Sequence, residues 1–229
     1  MQAGDDLAAL IAPEVRGGDV VVIAQKVVSK AEGRVVALDA VVPGAEAMRL
    51  ANDFGKDARL VQVVLDESVS VIRASHGVLI CETHHGFVCA NAGVDMSNAP
   101  DEDVAVLLPV DPDASAQRIR ADLGGSGYGV IVSDSFGRPW RLGVADVAIG
   151  AAGIRVLDDW RGRRDAHGRE LHATEIAVAD QLAAAADLAR SKDSREPVVV
   201  IRGAGRYITA EDGPGAAALR RPPELDLFR

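Results

Sequence analysis

Residues 77–90 read GVLICETHHGFVCA, two short apolar runs (77–82 and 87–90) on either side of Thr83-His84-His85-Gly86. A four-residue connection with glycine near its end, flanked by such runs, predicts an antiparallel hairpin. That hairpin decides the fold class. A doubly wound parallel sheet needs a crossover, usually a helix, between successive strands, and a hairpin mid-chain breaks that alternation.

The elements to either side agree. Asp5 or Asp6 is placed to cap a helix through Leu7–Ile11, which Pro13 stops. Val20–Ala24 is a continuous apolar run and predicts a buried strand, with residues 29–34 as a polar loop after it. Residues 45–53 and 57–66 carry apolar positions at helical spacing, separated by Gly55. Strands are expected at 69–73, 104–109, 130–133 and 197–201, with extended chain at 35–38 and 154–157. Asp111-Pro112-Asp113 starts a helix to about Leu123, and residues 174–190 predict the longest helix. Strands and helices are mixed without regular alternation, so the expected class is α+β or mixed α/β.

Composition excludes several functions. The chain has 229 residues, 48% of them hydrophobic, and a net charge of −9. That charge argues against DNA or RNA as main partner, since phosphate binding needs clustered Lys and Arg. A nucleotide stays possible, because a divalent metal can bridge its phosphates to carboxylates. Two cysteines, Cys81 and Cys89, are too few for a disulfide scaffold. No apolar run approaches the length of a membrane span and no secretory start is present, so the expectation is a cytoplasmic protein with no membrane partner.

Two polar segments carry the chemistry. Asn91-Ala92-Gly93-Val94-Asp95 leaves the hairpin, with Met96-Ser97-Asn98 after it. Ser133-Asp134-Ser135-Phe136-Gly137-Arg138 ends the strand at 130–133 and is expected to turn through Phe136-Gly137 towards Arg138-Pro139-Trp140-Arg141. A carboxylate and a hydroxyl at a strand's end, followed by two arginines, suit a hard cation and an anionic ligand. The bland alternatives are an Asx-type surface turn for the first segment and a cap with exposed arginines for the second. Lys26 and Lys30 follow a buried strand, where a lysine either meets phosphate or is solvated. His84-His85 at the hairpin tip suits solvent better than metal, and Trp140 and Trp160 are expected to be half-buried packing residues. There is no P-loop, no C-x-x-C and no H-E-x-x-H.

Taken in order, residues 4–7 (GDDL), 18–34 (GDVVVIAQKVVSKAEGR), 87–98 (FVCANAGVDMSN), 108–114 (LPVDPDA), 130–150 (VIVSDSFGRPWRLGVADVAIG) and 165–187 (DAHGRELHATEIAVADQLAAAAD) resemble the coenzyme F420-0:L-glutamate ligases, the F420-0 gamma-glutamyl ligase family. The resemblance runs over nearly the whole chain. It implies a mixed α/β fold of the family's own type with mixed sheets, in an intertwined homodimer. It implies one ligase domain over residues 1–229, with room for two subdomains and no reductase domain after it. It also implies that Asp95 and Asp134 hold Mg2+ or Mn2+, two ions in all, with Ser135 at the hydroxyl position touching the second. Some members use K+ as well. Gln25, Lys30 and Asn98 would contact GTP. The reaction implied adds L-glutamate to a deazaflavin precursor, with further gamma-linked glutamates as an option. GTP would activate the precursor's carboxylate as an acyl phosphate and leave as GDP. Arg138 or Arg141 would bind the transferring phosphoryl group or a substrate carboxylate, as guanidinium forks do. The alternatives are a relative that binds deazaflavin or nucleotide without ligating, and a metal-dependent phosphohydrolase using Asp95 and Asp134.

Overall fold

A computed structural model describes residues 1–97, 103–191 and 193–226. The chain forms two compact units. The first comprises Met1–Asp5, Gln25–Asp111 and Phe136–Val144; the second comprises Asp6–Ala24, Pro112–Ser135 and Ala145–Arg229. The architecture is α+β with mixed sheets, as the hairpin and the irregular order of elements predict. No helix among the described residues is long and apolar enough to cross a membrane.

In the first unit, α2 (Gln25–Ala31) is followed by β2 (Val35–Ala37), α3 (Ala45–Phe54) and α4 (Ala58–Asp66). Gly55, at φ 63, closes α3 in the left-handed conformation, and the Asp57 carboxylate caps α4 by accepting from the Arg59 amide. These are the stop and start signals that residues 53–57 display. The hairpin is present: β3 (Ser68–Ser75), β4 (Val78–Thr83) and β5 (Val88–Ala90) form an antiparallel three-stranded sheet. Cys81 and Cys89 face each other directly in the β4–β5 register, both buried. β6 (Val104–Val106) pairs antiparallel with β2. The core of this unit gathers Leu38, Leu50, Val61, Val64, Leu79 and Leu107.

In the second unit, the sheet runs in the order β11 (Val198–Ile201), β1 (Val20–Ala24), β7 (Gly129–Arg138), β8 (Arg141–Ala152). β1 is parallel to β7 and antiparallel to β11. Val20 through Ile23 are fully buried, which explains their unbroken apolar run: a central strand covered on both faces has no polar side. Helix α6 (Val178–Ala189) packs its small residues Ala179, Ala183 and Ala186 into the core with Val20, Val22 and Ile131. α1 (Leu7–Ile11) is capped by Asp6, and α5 (Pro112–Asp122) starts at the predicted proline.

Four expectations are corrected. Residues 25–31 are helix α2, where the sequence predicts a loop from Ser29. Residues 133–138 do not turn at Phe136-Gly137; they continue β7, and the reversal is the two-residue connection Pro139-Trp140. Residues 175–177 are β10 (Glu175–Ala177), paired antiparallel with β9 (Leu157–Asp159), so the long helix starts only at Val178. Trp140 is 80% exposed at the hairpin tip with φ 57, and is not a packing residue.

Candidate active site

The Asp95 segment is shaped by a short strained turn. Strand β5 runs into Asn91–Gly93, a 3-10 turn in which Asn91, Ala92 and Gly93 all have positive φ (51, 53 and 74). Asn tolerates that region through its short polar side chain, but alanine does not adopt it freely. A side chain at Gly93 would meet Leu108 Cγ at 2.7 Å, so only glycine fits. The turn closes with the Val94 amide donating to the Asn91 carbonyl at 2.9 Å. Asp95 and Val106 then exchange both backbone hydrogen bonds, at 3.0 and 2.8 Å. Backbone strain on one side and an antiparallel bridge on the other fix where the Asp95 carboxylate stands.

That carboxylate is ionised and engaged. Oδ1 accepts from the Ser97 amide at 2.6 Å, and Oδ2 from Ser97 Oγ at 3.0 Å. Lys26 Nζ, from α2, sits 2.6 Å from Oδ2. Burial works to raise the Asp95 pKa, but the hydrogen bonds from Lys26 and the Ser97 amide, with the charge of Lys26, hold it below the ordinary value. Lys30 lies one helical turn beyond Lys26, and burial first, then the Lys26 charge, pushes its pKa down. Two cations one helical turn apart favour anions nearby.

Gln25 opens α2 and is 1% exposed. Its Oε1 accepts from Ser29 Oγ at 2.8 Å, while its buried Nε2 meets no partner among the described residues. A buried donor without an acceptor fits a ligand oxygen or a water.

In the second unit, Asp134 is half-buried in β7 between Ser133 and Ser135. Side chains alternate along a strand, so the two serines share one side and Asp134 takes the other. Both serines are held by Asp146 of β8: Ser133 Oγ donates to Oδ2 at 2.9 Å and Ser135 Oγ to Oδ1 at 2.6 Å. Arg190, at the end of α6, donates through Nη2 to Asp146 Oδ2 and, at 3.0 Å, to Ser133 Oγ. Asp146 is 2% exposed and had no place in the sequence reading. Its signal was there: an acid inside the small, apolar run 143–152, which a buried strand tolerates only when paired.

The remaining expected site residues are placed as follows. Arg138 donates through Nη2 to the Leu142 carbonyl at 2.6 Å, across its own hairpin, and Arg141 is exposed. Asn98 lies outside the described residues. His84 is exposed, with Nε2 near the Asp66 carbonyl at 3.0 Å. His85 is half-buried, its Nε2 2.8 Å from the Pro109 carbonyl and its ring stacked on Phe87, so it is not simply solvated. Gln25, Lys26, Lys30 and Asp95 thus belong to the first unit with Arg138 and Arg141, and Asp134 and Ser135 to the second.

The donor set fits a hard divalent cation. No group of three or more His, Cys, Asp or Glu is poised to hold a metal among the described residues. Mg2+ does not need one: it is commonly bound by one or two carboxylates, with substrate phosphates and water completing the shell. Asp95 offers an ionised carboxylate held by Lys26, and Asp134 a half-buried carboxylate. Both are oxygen donors suited to Mg2+ or Mn2+.

Comparison with known proteins points one way. Residues 1–203 match the family described as F420-0:Gamma-glutamyl ligase. The chain is 46% identical over 238 residues to a protein of Methanothermobacter thermautotrophicus named coenzyme F420:L-glutamate ligase, covering 99% of this chain and 94% of the relative. Proteins of the same name from Methanopyrus kandleri and Methanocaldococcus jannaschii are 48% and 44% identical, covering 100% and 98% of this chain and 93% and 90% of theirs.

Proposed function

The chain belongs to the F420-0:gamma-glutamyl ligase family, and from that membership we propose that it is a ligase joining L-glutamate to the deazaflavin coenzyme F420 precursor at the expense of GTP. The observation that carries the chemistry is the ionised Asp95, pinned beside Lys26 of α2 by a turn of three left-handed residues.

An amide does not form from a free carboxylate without activation. In the proposed reaction the precursor's carboxylate takes the γ-phosphoryl group of GTP, giving an acyl phosphate and GDP. The glutamate amine then displaces phosphate. Phosphoryl transfer of this kind depends mainly on positioning and charge neutralisation. Asp95, Asp134 and Ser135 would hold Mg2+ or Mn2+, which when bound neutralises charge on the phosphates. Lys30 and the buried Gln25 amide would meet nucleotide oxygens, with Asn98. Lys26, now on Asp95 Oδ2, occupies an oxygen that a cation also wants, so a bound cation would release it towards phosphate. Arg138 and Arg141, on the exposed tip, would hold the transferring phosphoryl group or a substrate carboxylate.

The test is incubation with GTP, Mn2+, L-glutamate and the precursor, read by mass spectrometry and nucleotide analysis. GDP and a product heavier by one glutamate are expected. Asp134→Asn should abolish GDP release while leaving the thermal unfolding transition in place; wild-type turnover in that variant would sink the assignment. Phosphate release that ignores glutamate would identify a phosphohydrolase instead, and binding of precursor without any GDP a non-ligating relative.

A further inference from the structure

Asp146 takes no part in the reaction as proposed, yet it is a buried and heavily engaged carboxylate of the second unit. It accepts from Ser133 Oγ, Ser135 Oγ and Arg190 Nη2, and its side chain and that of Arg190 are 2% and 10% exposed. Arg190 is anchored in turn by Nη1 donating to the Pro197 carbonyl at 3.1 Å. Burying such a pair is costly unless its geometry is fixed and its remaining valences are met. Here they are, and the partners are the two residues that flank Asp134.

The direction of one hydrogen bond matters most. Paired with a guanidinium, Asp146 is a carboxylate and can only accept. Ser135 must therefore donate its single O–H to Asp146 Oδ1, at 2.6 Å. A serine hydroxyl has one hydrogen and two lone pairs. With the hydrogen committed, it presents only lone pairs to any further group, which is what a divalent cation requires of an oxygen ligand. Asp146 does not itself suit that cation, since it is buried and both its oxygens are occupied.

We propose that the Asp146–Arg190 pair is a positioning device that locks the hydroxyl of Ser135 as a pure acceptor towards one cation and grips β7 on both sides of Asp134, so that each of these two ligands is preorganised on its own side of the strand. This rests on the reading of Ser135 and Asp134 as cation ligands. Asp146 and Arg190 touch neither metal nor substrate; they act through Ser135.

The experiment is a titration of the whole protein with Mn2+ in the presence of GTP, followed by electron paramagnetic resonance, with thermal unfolding as a check on the fold. In Asp146→Asn the amide oxygen must face Arg190, which donates. The NH2 group then faces Ser135 and donates into its lone pair. The Kd for Mn2+ should rise about 10- to 100-fold, the range typical of groups that orient a ligand. Ser135→Ala should weaken binding to a similar extent, and adding Asp146→Asn to it should cost little more. Unchanged Mn2+ affinity in a folded Asp146→Asn protein overturns the proposal, as does a double variant whose loss is the product of the two single losses. Should Asp146→Asn not fold, Asp146→Ala combined with Arg190→Leu removes both charges together and leaves none unmatched. The same loss of Mn2+ affinity is expected there, and wild-type affinity overturns the proposal. A wild-type protein that binds no Mn2+ with GTP would overturn the ligase reading itself, before any variant is compared.

Discussion

Gly93 shows how much a single position decides. It combines φ 74 with a Leu108 side chain where a Cβ would stand. Gly93→Ala should lower stability by about 2 kcal/mol, from left-handed strain plus overpacking, measured by urea unfolding. It should also displace Asp95, two residues on. Asp95 carries a pH signature as well. Its folded pKa is depressed, so its partners contribute stability above the unfolded value of about 4. That contribution is lost as pH falls through the lower folded value. Asp95→Asn should therefore be less stable than wild type at pH 7, with the gap closing below about pH 4. Because the side chain is 42% exposed, solvent screening limits the gap to about 1 kcal/mol. Urea midpoints across pH 3–7 check this; a gap that widens in acid would contradict it. At this scale the sequence named Asp95, Asp134, Ser135 and Gln25 but not Asp146, because its partners Ser133, Ser135 and Arg190 are 13, 11 and 44 residues away in the chain.

Elements were legible where a local pattern completes itself. Helices α3 and α4 show two or more turns of apolar spacing and carry their own cap residues, and both lie where the sequence puts them. Helix α2 has seven residues, under two turns, and its Val27-Val28 pair extends the β-branched run of β1, so periodicity had nothing to count. Strand β7 passes through Ser133-Asp134-Ser135 because β8 pairs alongside it, and the first residues of the expected long helix are drawn into β10 by β9. In both cases ladder hydrogen bonds to another strand override the local preference. The Asp146–Arg190 pair joins β8 to the end of α6 and, through the serines, to β7. Arg190→Ala takes the guanidinium from a buried carboxylate and should cost about 3–5 kcal/mol in urea unfolding. Replacing both partners by apolar residues should recover much of that loss, and a double variant as unstable as Arg190→Ala would argue against it.

For the whole molecule, the net charge of −9 sets the terms on which the proposed nucleotide would bind. Lys26 and Lys30 offset that charge locally, but Lys26 is engaged by Asp95. Excess EDTA should therefore weaken GTP binding at least tenfold, with recovery on adding Mn2+, measured by calorimetry; EDTA-insensitive binding would remove the metal from the nucleotide site. The sequence by itself determined the α+β class, through the 77–90 hairpin set among helices, and most strands and helices, through apolar period and capping residues. Its ordered motifs also pointed to the family. These are properties of neighbours along the chain, whose energetics are local. Only the tertiary structure decided that β1 lies between β7 and β11, that Cys81 faces Cys89, that Lys26 sits on Asp95, and that Asp146 holds the serines beside Asp134. Those contacts join residues distant in sequence, and their free energy comes from burial and hydrogen bonds that exist only once the chain has closed on itself.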